Sequence, residues 1–152
     1  LHTVTLTQCH LADYLVQMLR LPVLKKLALV LVDLSVASLH SIIHSSCPAL
    51  QRLVLVFGLG IHIPCLKIKS PHLVSIGIRC GHGELVIEDA PSLQRLLNDI
   101  ISSNLQITVM SAPKLETLGK FHDFFSESKV THNPTVIQYL VFSCICPSKQ
   151  IS

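Results

Sequence analysis

The chain has 152 residues, of which 49% are hydrophobic and only 14% charged, which fits one domain with a substantial core. A net charge of +3 with histidine neutral, and 5% aromatic residues, argue against a nucleic-acid surface built from basic patches and stacking rings. No apolar run reaches the length of a membrane span; the longest near-continuous one, Leu27 to Val32, is stopped by Asp33.

In chain order, Val4-Thr5-Leu6-Thr7-Gln8-Cys9 reads as the tail of a repeating unit. Leu11, Leu15, Met18 and Leu19 then mark a short helix ahead of Pro22. From Pro22 a six-residue signature, Pro-x-Leu-x-x-Leu (with Ile in the last slot once), returns five times. It begins at Pro22, Pro48, Pro71, Pro91 and Pro113, in steps of 26, 23, 20 and 22 residues. Steps of that size describe a repeat array, in which each unit buries its apolar edge against its neighbours.

Each signature runs on into an alternating pattern. Leu27-Ala28-Leu29, Leu53-Val54-Leu55 and Ile76-Gly77-Ile78 have the period of a short strand with one face inward. The proline cannot donate to a ladder, so it marks the entry to the strand. The first step also holds a helix over residues 35–46. Ser35 is its N-cap, Val36, Leu39, Ile42 and Ile43 share one face, and Cys47-Pro48 ends it. The shorter steps hold second triplets instead: Leu66-Lys67-Ile68, Leu85-Val86-Ile87 and Ile107-Thr108-Val109. These predict strands on the back of the stack, so the outer layer changes from helix to strand. After Leu118 the pattern decays. Phe121, Phe124 and Phe125 are candidates to cover the open end, 136–142 is a candidate strand, and 147–152 a frayed tail.

Groups capable of chemistry are few. His40 and His44 have a metal-compatible spacing on the predicted helix, but no third ligand accompanies them, and exposed helix histidines explain them better. Cys144-Ile145-Cys146 lacks the two-residue spacer of a redox or zinc pair. Cys80-Gly81-His82-Gly83 reads as a turn, and Glu88-Asp89 as a variable turn before a repeat proline. There is no phosphate-binding glycine loop and no hydrolase elbow. No enzyme activity, metal or cofactor is expected. The six cysteines (Cys9, Cys47, Cys65, Cys80, Cys144 and Cys146) do not have the spacing of a disulfide scaffold, and no Asn-x-Ser/Thr acceptor is present. Both features favour a reducing, intracellular compartment, nucleus or cytoplasm.

One constellation remains. The residue before the second apolar position of each signature aligns as Lys26, Arg52, Ser75, Arg95 and Thr117. Strands stacked in register would set these at about 4.8 Å per rung on the inner sheet. Three of the five are basic, and Arg is favoured where proteins dock. A merely solvated strand face is the plain alternative.

The repeated Pro-x-Leu-x-x-Leu units resemble the leucine-rich-repeat region of plant F-box proteins, in particular the large cereal F-box/LRR group. Three segments carry the match together: 66–73 (Leu-Lys-Ile-Lys-Ser-Pro-His-Leu), 85–93 (Leu-Val-Ile-Glu-Asp-Ala-Pro-Ser-Leu) and 111–119 (Ser-Ala-Pro-Lys-Leu-Glu-Thr-Leu-Gly). The resemblance covers about 1–125, and more weakly 134–140. It implies an α/β repeat fold: a right-handed leucine-rich-repeat solenoid with an inner parallel sheet. Residues 1–125 form the repeat domain of a longer array and 126–152 a degenerate last repeat or frayed tail. The start at Leu1 agrees with a piece of a longer protein. The function implied is recruitment of a target protein to an SCF-type ubiquitin ligase. In that family an F-box, which this sequence does not contain, grips a Skp1-like adaptor. Neither nucleic acid nor membrane is an expected partner. The alternative is an extracellular or immune-type leucine-rich-repeat segment that senses a ligand.

Overall fold

Four of the five units open on a hydrogen-bonded turn that the proline builds, at Pro22, Pro48, Pro91 and Pro113. The amide of Leu24 donates to the Leu21 carbonyl at 3.2 Å, Leu50 to Cys47 at 3.2 Å, Leu93 to Ala90 at 3.1 Å and Leu115 to Ala112 at 3.1 Å. Proline is the second residue of each four-residue turn. Its fixed φ suits that position, and its missing N–H is not needed there. Four residues after each proline a strand begins, at Lys26, Arg52, Ser75, Arg95 and Thr117.

The computed structural model describes residues 1–58, 60–98 and 104–120. Its elements in chain order are β1 (Thr3–Thr7), α1 (Asp13–Met18), β2 (Lys26–Val30), α2 (Val36–Ser41), a π-helical turn (Ile42–Ser46), β3 (Arg52–Val56) and β4 (His62–Lys69). There follow β5 (Ser75–Arg79), β6 (His82–Asp89), β7 (Arg95–Asn98), β8 (Asn104–Val109) and β9 (Thr117–Lys120). Two parallel sheets result. The front sheet has the order β1-β2-β3-β5-β7-β9 and the back sheet β4-β6-β8. Parallel neighbours need a crossover, and each crossover here supplies the other layer. The first two are helical and the later three are strands, as the step lengths predicted.

The core lies between the layers. Leu24, Leu27, Leu29, Leu50, Leu53, Leu55, Leu73, Ile76 and Ile78 belong to one cluster with Leu66, Ile68, Leu85, Ile87 and Ile107 from the back. Full burial of such side chains contributes about 1.5–3 kcal/mol each, so the repeated leucines are the main stabilising term. One inward column runs Leu6, Leu29, Leu55, Ile78, Asn98 across the strands. Its apolar character ends at Asn98, which is 1% exposed and whose side-chain nitrogen and oxygen both lack a hydrogen-bond partner.

The predicted helix at 35–46 is present, with its last turn wound as π: the Cys47 amide donates to Ile42, five residues back, at 3.0 Å. Ser35 caps it, Oγ accepting from the Ser38 amide at 3.0 Å. Ser35 and Ser38 hydroxyls also donate to Asp13 Oδ1, at 2.8 and 2.6 Å, tying α1 to α2. These two bonds hold the Asp13 carboxyl below its ordinary pKa.

Three expectations are corrected. Helix α1 exists, but Val16 is its buried residue, while Leu15 and Met18 are exposed. The helix has only six residues and packs on α2 and the π turn along one narrow stripe, which Val16 occupies. Cys80–Gly83 is not simply a turn. Strand β6 begins at His82, and Gly83 lies in it opposite Ile63. Glu88-Asp89 likewise is no turn but the end of β6, because β4 and β6 each run eight residues, longer than their apolar triplets. The proposed end cover (Phe121, Phe124, Phe125), the strand at 136–142, Cys144, Cys146 and the boundary at 125/126 lie outside the described residues.

Candidate protein-docking face

The front sheet sets the five sequence-aligned positions side by side. Lys26 pairs with Arg52, Arg52 with Ser75, Ser75 with Arg95, and Arg95 with Thr117. Thr3 extends the row at the other end, opposite Lys26. Since Leu27, Leu53, Ile76 and Leu96 point into the core, this row points away from it. The rung spacing is the strand separation, about 4.8 Å.

Depth along the row is uneven. Lys26 and Arg52 are exposed, Arg95 is half-buried, and Ser75 and Thr117 are buried at 3% and 4% exposure. Ser75 and Thr117 therefore offer little surface of their own in this row. On the next row, Ala28 and Val54 are half-buried, whereas Gly77 and Leu97 are buried. The open part of the face thus lies over β1, β2 and β3. It holds a shallow depression of about 170 Å³ between Thr3, Thr5, Lys26, Ala28, Arg52 and Val54.

A larger hollow, about 300 Å³, lies at the C-terminal ends of β2 and β3, with Leu31, Val36, Leu39, Phe57 and Ile61 in its wall. Leu31, 45% exposed, reaches it through a left-handed backbone, φ 53°. Alternation alone does not reveal this hollow, because it is formed by the residues that follow the strands.

The back of the molecule holds a feature the sequence did not disclose. His40 Nε2 accepts the backbone N–H of Lys67 at 3.0 Å, and His44 Nε2 that of Lys69 at 3.3 Å. The histidines are thus not idle exposed residues: they cover the free edge of β4. Strand β4 carries Pro64 next to an irregularity in its pairing with β6, another device suited to an edge strand.

Nucleophilic chemistry finds no support among the described thiols. Burial pushes Cys47 up to about 11, and it raises Cys80 as well. Cys65 is raised by burial and by the Glu84 carboxylate. All move away from the reactive thiolate. Cys9, Cys47, Cys65 and Cys80 are free thiols. Among the described residues no group of three or more His, Cys, Asp or Glu could hold a metal, and no helix is long and apolar enough to cross a membrane.

Stacked α/β units with parallel strands on a leucine core define a repeat protein built to present a face. Over residues 1–145 the chain matches the leucine-rich repeats of the FBD-associated F-box protein At5g56370, and it belongs to that family of plant leucine-rich-repeat regions. A search of curated proteins and one of solved structures found no match. The family and the parallel two-layer fold together identify a protein-interaction module.

Proposed function

We propose that this chain is the target-recruiting part of an F-box protein in an SCF-type ubiquitin ligase. Its units would wind as a right-handed solenoid, the hand that parallel crossovers favour. The family match over 1–145 carries the reading, because it joins these repeats to F-box proteins. In this arrangement an F-box outside the chain holds a Skp1-like adaptor, and the open front face over β1–β3 holds the target. The work takes place in the nucleus or cytoplasm, and neither nucleic acid nor membrane takes part. The chain performs no catalysis itself.

The test is affinity capture with the longer protein that carries these repeats, compared with a version lacking 1–120. The proposal expects a Skp1-like adaptor with both versions. A further set of proteins should come only with the repeats and become ubiquitinated. Capture of the same proteins by both versions would contradict it.

A further inference from the structure

We propose that the open face over β1–β3 recognises an acidic, extended segment of a partner protein, with a carboxylate seated between Lys26 and Arg52. This deepens the docking function proposed above and rests on it.

The described charges that face outward on the front sheet are all of one sign. Outward positions of the front sheet carry Lys26, Arg52 and Arg95. No described carboxylate occupies such a position. Glu84, Glu88 and Asp89 lie on β6 in the back sheet, Asp13 on α1, Asp33 after β2, and Glu116 before β9. The described ion pairs, His10 with Asp33 and Lys67 with Glu88, both lie off this face. Among the described residues, therefore, no carboxylate answers the outward charge of Lys26 and Arg52.

Their geometry favours one kind of ligand. They are register partners on adjacent strands, about 4.8 Å apart at the backbone. A single carboxylate can bridge an ammonium and a guanidinium at that spacing, the guanidinium binding two oxygens at once. The depression beside them has hydroxyls on one side, at Thr3 and Thr5, and an apolar floor at Ala28 and Val54. Ala28 and Val54 are the next outward residues after Lys26 and Arg52, two positions further along each strand. An extended ligand also repeats every two residues, so an acidic residue on the cations places an apolar neighbour over the floor. The scarcity of aromatic residues, 5% of the chain, favours this polypeptide ligand over a nucleic acid, whose bases need stacking partners.

The test is selection of a random peptide display library against the full chain, with a labelled selected peptide then titrated by fluorescence anisotropy. The expected peptides are enriched in Asp and Glu next to apolar residues. The Lys26→Ala/Arg52→Ala variant, checked for folding by circular dichroism, should bind them about ten-fold more weakly or worse, and added salt should weaken the wild type. Should that variant unfold, Lys26→Gln and Arg52→Gln singly carry the same expectation. Neutral or basic peptides, or binding the variant retains, would overturn this inference and leave the docking function standing. A library that yields no binder contradicts both. Equal competition by a single-stranded oligonucleotide would overturn the assignment to a protein segment.

Discussion

His40 and His44 stack ring on ring, centroids 5.7 Å apart and planes 14° from parallel, and together they accept two backbone N–H groups of β4. Helix spacing and strand spacing meet here. Residues four apart on a helix stand one above the other, and residues two apart on a strand point the same edge amides in one direction. The pair occupies donors that another strand would otherwise pair with.

An imidazole nitrogen accepts only when it is unprotonated, so protonation breaks the bond that it receives. Burial, and then the neighbouring His40, lower the His44 pKa; Glu88 pulls the other way. The backbone donors belong to Lys67 and Lys69, whose cations add no welcome to a charged imidazole. Because the folded pKa of His44 is depressed, its stabilising contribution is complete above the ordinary value near 6.5 and is lost as pH falls through the lower folded value. Hydrogen exchange at the Lys69 amide, which His44 accepts, should therefore accelerate beyond the intrinsic trend as pH falls below the ordinary histidine value. The His40→Gln/His44→Gln variant should show no such excess. The same excess in the variant would contradict this role of His44.

Gly83 cannot carry a side chain. Its φ is +145°, and an added Cβ would stand 2.3 Å from the Ile63 carbonyl oxygen in the adjacent strand. Both atoms belong to paired backbones, so neither yields cheaply. Gly83→Ala should destabilise the fold by about 1–3 kcal/mol, measured as a lower urea midpoint at unchanged slope. An unchanged midpoint would show that β4 and β6 are not held this close.

Asn98 interrupts an apolar column and leaves two polar atoms buried without partners. Leaving such groups unsatisfied costs about 1–3 kcal/mol, and an aliphatic side chain removes that cost while matching the column. Asn98→Leu should raise the thermal midpoint. A lower midpoint would mean that the amide has a role this column does not explain.

Much of this architecture was legible in the residues. The proline signature marked the entry to five front strands, and alternation identified which leucines face inward. Step length separated helical from strand crossovers. Alternation gives the side on which a residue lies but not its depth, so Lys26 and Arg52 could not be told apart from Ser75 and Thr117. Gly83 was misread because glycine serves turns and close backbone approaches alike. The role of His40 and His44 was invisible because their partners are main-chain amides 25 and 27 residues away, which no side-chain pattern encodes.

The proposed docking site for targets is the open, basic end of the front sheet. The most direct measurement is target capture by the complete protein carrying Lys26→Glu, Arg52→Glu and Arg95→Glu, with folding followed by circular dichroism. Substitution at exposed positions such as Lys26 and Arg52 moves stability by only about 0.5 kcal/mol, while reversed charge at an interface opposes binding by several times that. The expected result is a folded protein that keeps its adaptor and loses its targets. Undiminished capture by a folded triple variant would contradict it and move attention to the hollow between Leu31 and Phe57.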